Sequence, residues 1–117
     1  MALTFKPGRY EVEYLNMKIP EIKIVLNPVT DEAKRAIGFK WAGEDSEGRT
    51  VGCRHKIGGE PDWLQSDESP DCECGKKMAF YGQFDSIGDE FCLGDCGIIY
   101  VFVCFDCFTT KSILQSY

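Results

Sequence analysis

The chain has a single histidine in 117 residues, no long hydrophobic run, and few basic residues in its second half. Each absence removes a class of function. With His55 alone, a Cys–His nucleophilic pair is formally open because seven cysteines accompany it. No family nucleophile signature surrounds any of them, however. No two carboxylates share an apolar context as a glycosidase pair would. The segments "GEDSEG" and "KIGGEP" lack the Gly-x4-Gly-Lys-Ser/Thr order of a phosphate loop. The residues read as those of a protein that is not an enzyme.

The longest apolar run, "GIIYVFVCF" at 97–105, is less than half of the roughly 20 residues a membrane helix needs. The opening "MALTFKPGRYEVEYLN" carries Lys6, Arg9, Glu11 and Glu13 and has no apolar stretch of the kind a secretory leader uses. These features predict a cytoplasmic protein with no membrane partner. Thiols stay reduced there, so clustered cysteines read as metal ligands before they read as disulfides.

Charge is unevenly spread. Residues 1–59 carry ten Lys and Arg against eight Asp and Glu, whereas residues 60–117 carry three against eleven. Between 60 and 73 stand Glu60, Asp62, Asp67, Glu68, Asp71 and Glu73, with no base among them. A nucleic-acid backbone needs clustered Lys and Arg, so nucleic acid is excluded as the partner. Such a segment either keeps the protein soluble or faces a cationic protein surface.

The pattern predicts one mostly β domain over residues 1–117, an antiparallel sheet or open barrel with at most one short helix. "RYEVEYLNM" and "EIKIVLN" alternate as strands do, and Asn27-Pro28 ends the second. Thr30 is placed to cap a helix over "DEAKRAI". "EDSEG" at 44–48 reads as a turn and "RTVGCRHKI" as the strand after it. "KMAFYGQFD", "IIYVFVCF" and "KSILQSY" read as three further strands, the middle one central and buried.

Two cysteine pairs flank those strands: Cys72-x-Cys74 stands before "KKMAFYGQF" and Cys104-x-x-Cys107 follows "IIYVFV". If the strands are antiparallel neighbours, the start of one lies beside the end of the other. Cys72, Cys74, Cys104 and Cys107 then converge as a four-thiolate zinc site, a knuckle at one corner of the sheet. Gly75 supplies the tight turn after the first pair. Cys92-x3-Cys96 is a competing pair, His55 could join a site, and Cys53 reads as a packed residue. Cys104 also sits in an apolar run, where a thiol serves as a small hydrophobe.

"HKIGGEPDWLQ", "PDCECGKKMAFYGQFD", "GDCGIIYVFVC" and the terminal "LQSY" together resemble the YwqG-like bacterial proteins, a family of unknown function. The Gly-Gly-x-Pro-x-Trp-Leu stretch with paired cysteines also resembles eukaryotic programmed cell death protein 2. The likeness covers residues 55–117, is silent on 1–54, and departs from the pattern at Tyr81, where the family carries Leu. It implies a β-rich fold and no established chemistry. Within it, Gly58-Gly59 permits a tight turn, Pro61 fixes its exit, and Trp63 fills the core. Gln65 and Gln83 are positioned to satisfy buried backbone groups. Short members of such families resemble immunity proteins that neutralise a toxin by covering its cationic active-site surface. The likeness to the cell-death protein implies instead a chaperone for a basic client such as a ribosomal protein. Either way the expectation is a monomer with one protein partner, bound through the acids at 60–73.

Overall fold

A computed structural model describes residues 18–117; the alternating segment "RYEVEYLNM" at 9–17 lies outside them. Five antiparallel strands form one open sheet in chain order: β1 (Ile22–Lys23), β2 (Lys56–Ile57), β3 (Ala79–Asp85), β4 (Ile98–Val103) and β5 (Thr110–Gln115). Among the described residues one short helix, α1 (Asp31–Ala36), lies between β1 and β2. Its Thr30 Oγ1 accepts from the Ala33 amide at 3.0 Å, the cap read from the sequence.

β4 organises the core. Ile98, Tyr100 and Phe102 are fully buried, because alternate side chains of a strand share one face. Trp63 covers them, its ring centroid 4.5 Å from that of Tyr100 and 6.0 Å from that of Phe102. The Tyr100 hydroxyl donates to the Asp62 carbonyl at 2.7 Å, which ties the Trp63 loop to the sheet. The loop can reach this position because Gly58 and Gly59 both take positive φ, 70° and 71°. A Cβ at Gly58 would stand 2.2 Å from the Pro20 carbonyl oxygen, so no larger residue fits.

Two of the expected strands are much shorter than the sequence suggests. "EIKIVLN" is strand only at Ile22–Lys23, and "RTVGCRHKI" only at Lys56–Ile57, with an isolated bridge from Thr50 to Glu44. The cause for the second is Asp85. Its Oδ2 accepts from the amides of Gly52 at 2.6 Å and Arg54 at 2.9 Å, so a side chain takes the donors a ladder would have used. β1, the neighbour of this segment, has little left to pair with. The turn at 44–48 forms as expected, closed by Gly48 N–H to the Asp45 carbonyl at 3.0 Å. No helix among the described residues is long and apolar enough to cross a membrane.

Candidate metal centre

β3 and β4 are antiparallel neighbours with Ala79 opposite Val103, so the start of one strand meets the end of the other. The loop before β3 carries Cys72 and Cys74, and the β4–β5 connection carries Cys104 and Cys107. In the first loop the Cys72 amide donates to the Lys76 carbonyl at 2.8 Å, and the Gly75 amide returns to the Cys72 carbonyl at 2.9 Å. In the second the Cys104 amide donates to the Thr109 carbonyl at 2.9 Å, and the Phe108 amide to the Cys104 carbonyl at 2.8 Å. Both turns place a left-handed residue directly after the second cysteine: Gly75 at φ 95° and Phe108 at φ 64°.

The result is convergence. The four Sγ atoms all lie within 4.8 Å of one another, with Cys72 and Cys107 at 3.3 Å and Cys74 and Cys104 at 3.6 Å. Four sulfurs at about 2.3 Å from a tetrahedral ion would stand roughly 3.8 Å apart, so the spacing fits a metal ion. Cys72 and Cys104 are buried, while Cys74 and Cys107 are exposed.

The electrostatics point the same way. Hydrogen bonds from the Thr109 hydroxyl and amide, with help from Cys72, pull the Cys107 thiol down to about 6. The amides of Cys107 and Asp106 lower Cys104. The Lys76 amide would lower Cys74 too, but the crowd of Cys72, Cys104 and Cys107 thiols, with burial, pushes it up to about 12. A cluster of thiols resists full ionisation unless a cation balances it. A bound divalent metal would supply that balance and favour the thiolate form of all four.

Phe108 has no side-chain reason to hold its conformation, being 64% exposed. A left-handed backbone costs a residue with a Cβ about 1–2 kcal/mol, part of which glycine returns as lost chain entropy. Phe108→Gly is therefore expected to stabilise the protein by about 0.5–1 kcal/mol. A rise in the urea midpoint at unchanged slope and unchanged metal content would register it.

The other candidates stay outside this corner. Cys92 and Cys96 lie before β4, at its opposite end, where the Cys96 amide donates to Cys92 Sγ at 3.2 Å. His55 is buried, its Nδ1 accepting from the Asp85 amide at 3.0 Å. Cys53, expected to be packed, is exposed, because the 51–55 segment bends to bring its amides to Asp85 instead of continuing a strand.

The six acids between 60 and 73 do not share one environment. Asp67, Asp71 and Glu73 are exposed. Asp67 Oδ1 accepts from the Ser69 amide at 2.8 Å, and hydrogen bonds from Ser69 hold its carboxyl below the ordinary range. Asp71 lies 3.4 Å from the Lys77 ammonium. Glu60 pairs with Lys18 at the surface. The Glu68 carboxylate receives the Gln115 amide at 2.6 Å. Asp62 is turned inward, its carboxylate contacting Lys56 at 3.2 Å, Arg49 at 3.5 Å and the Gln83 amide at 3.0 Å. Asp62 thus has a structural role.

Two arrangements escaped the sequence. Arg54 is buried with its guanidinium bidentate on Asp85, at 2.8 and 2.6 Å, and on Asp45 at 3.1 Å. Burial alone would lower the Arg54 pKa, but the bonds to Asp85 and Asp45 raise it. The available signal was that Gln83 and Asp85 sit two apart in a strand, on one face, opposite Phe84. The second is Gln115. It is Gln115, not the exposed Gln65, that accepts from the amides of Leu64 at 3.0 Å and Gln65 at 2.9 Å. Gln83 does as expected, accepting from the Asp62 amide and donating to the Arg54 carbonyl at 2.7 Å.

No family model, no curated protein and no solved structure matches this chain, so the site is read from its own residues.

Proposed function

We propose that the four thiolates hold zinc and that the chain is a non-enzymatic, monomeric module that binds one basic protein, as an immunity protein covers a toxin's cationic surface. The observation that carries this reading is the placement of Asp67, Asp71 and Glu73, all exposed, on the segment that runs into the cysteine corner. Four thiolates around zinc carry a formal net charge of −2, which extends the negative surface of that segment. Zinc fits the donor set because soft thiolates in a tetrahedral array select it over harder cations. Its role is architectural: it pins the end of the acidic segment and so reduces the ordering cost of docking. A second feature favours a protein partner. On the sheet face turned away from Tyr100, Phe84, Ile99 and Leu114 lie side by side in register, Phe84 and Leu114 half exposed.

The test is association kinetics with a partner captured on the zinc-loaded protein. Neutralising Asp67, Asp71 and Glu73 together, to Asn, Asn and Gln, is expected to slow association at least several-fold at low salt, with metal content unchanged. The difference should shrink at moderate salt as screening takes over. Equal rates for variant and wild type at both salts would make the segment a solubilising surface only. A toxin as partner supports the immunity role, whereas a ribosomal protein supports chaperoning.

A further inference from the structure

One pair of cysteines has no part in the metal corner: Cys92 and Cys96, in the loop between β3 and β4. The fold brings the two together. The Cys96 amide donates to Cys92 Sγ at 3.2 Å, and the Gly97 amide donates to the Leu93 carbonyl at 2.8 Å, so a single turn of chain joins them. Cys96 holds a left-handed backbone at φ 57°, a conformation that disfavours any residue with a Cβ. Its surroundings keep it there. The Cys96 carbonyl accepts from Arg54 Nη2 at 2.9 Å, and the Asp95 carbonyl accepts from the Tyr117 amide at 3.1 Å. A Cβ at Gly97 would stand 2.4 Å from the Leu93 carbonyl oxygen, so the turn is closely packed. Strain that the surrounding structure holds in place points to a use for the geometry. Both cysteines are half-buried, which leaves them open to a small oxidant.

We propose that Cys92 and Cys96 form a reversible redox modification site, a dithiol that closes to a disulfide by exchange with a small disulfide such as oxidised glutathione. The geometry sets the order of events. The Cys96 amide points at the Cys92 sulfur and is placed to bond a thiolate there, the form that attacks. Burial, then the charge and hydrogen bond of Cys92, push the Cys96 thiol up, so Cys96 keeps its proton while Cys92 reacts. The Cys92 thiolate attacks one sulfur of oxidised glutathione, forming a mixed disulfide and releasing one glutathione thiolate. Capping removes the charge on Cys92, one of the influences that held Cys96 up. Cys96 then gives up its proton, its thiolate attacks the Cys92 sulfur, and the second glutathione thiolate leaves with the electron pair of the broken bond. In sum, two protein thiols are oxidised to one disulfide and one glutathione disulfide is reduced to two thiols. The turn makes the second step intramolecular, which favours closure over a lasting adduct. With zinc bound, the four thiolates of the metal corner are committed to the ion and take no part.

The test treats the zinc-loaded protein with oxidised glutathione, alkylates the remaining thiols in denaturant with a chelator present, and maps the products by mass spectrometry. The expected product carries a Cys92–Cys96 disulfide with Cys72, Cys74, Cys104 and Cys107 alkylated, and excess reduced glutathione reopens it. Cys53 is exposed and serves as the internal reference, expected to stop at the mixed disulfide. Cys96→Ser is expected to trap glutathione on Cys92. Cys92→Ser keeps a small acceptor for the Cys96 amide, and its Cys96 is expected to react at least about ten-fold more slowly than Cys92 does in Cys96→Ser. A melting transition like that of the wild type is the control on folding in both variants. Cys92 and Cys96 both alkylated after oxidation would overturn the proposal, as would a glutathione adduct that persists on Cys92 in the wild type. A bridge from either residue to a third cysteine, or equal rates in the two variants, would overturn it too.

Discussion

Cys72→Ser or Cys107→Ser is expected to strip the chain of zinc and to lower its melting temperature by ten degrees or more. The magnitude follows from linkage. Structural zinc in small sites contributes on the order of 10 kcal/mol of binding free energy, and binding to the native fold alone is folding free energy. Here a bound ion would join the loop before β3 to the β4–β5 connection, segments with few other bonds between them. The Lys76 ammonium to Asp106 contact, at 3.6 Å, lies at the surface and adds little. Loss of metal should therefore loosen both turns, with exchange protection falling first around residues 71–78 and 104–109. The controls are Cys53→Ser and Cys92→Ser, which lie outside the cluster and should retain one zinc per chain. Elemental analysis of the purified variants, with thermal melts, decides the matter. Full metal occupancy in a Cys72→Ser/Cys74→Ser double variant would refute the ligand set.

The second large effect lies away from the metal. Asp85→Ala should destabilise the protein by about 3–5 kcal/mol, the usual cost of leaving one member of a buried ion pair without the other. The Arg54 side chain is 1% exposed and would keep its charge with only Asp45 to balance it. The amides of Gly52 and Arg54 would lose their acceptor at the same time. Asp85→Asn retains one acceptor oxygen and should cost less. Against a total stability of about 5–15 kcal/mol, the alanine variant is expected to unfold at a much lower denaturant concentration. A urea midpoint within experimental error of wild type would show that the Arg54 network carries little of the stability.

The metal corner was legible because its logic is local. Each cysteine pair abuts a strand whose apolar alternation is strong, and one topological assumption, that β3 and β4 are antiparallel neighbours, brings the pairs together. Trp63 and the Gly58-Gly59 turn were legible for a similar reason: large apolar area and backbone freedom are properties of single residues. What the sequence concealed depends on partners distant along the chain. Asp85 captures amides 31 and 33 positions away, which ends a strand that propensity alone would have extended. Asp62 looks like one more acid in an acidic run, yet Arg49, Lys56 and Gln83 draw it inward. Gln115 and Gln65 are chemically identical, and only the fold determines which one reaches the Leu64 amide.

The central claim is that four thiolates and no other ligand hold one zinc ion at the meeting of β3 and β4. X-ray absorption at the zinc edge of the purified protein tests it most directly. The expected spectrum shows a single shell of four sulfur scatterers at about 2.3 Å, with no nitrogen or oxygen neighbour. A protein that carries no zinc, or a first shell containing a light-atom ligand, would contradict it.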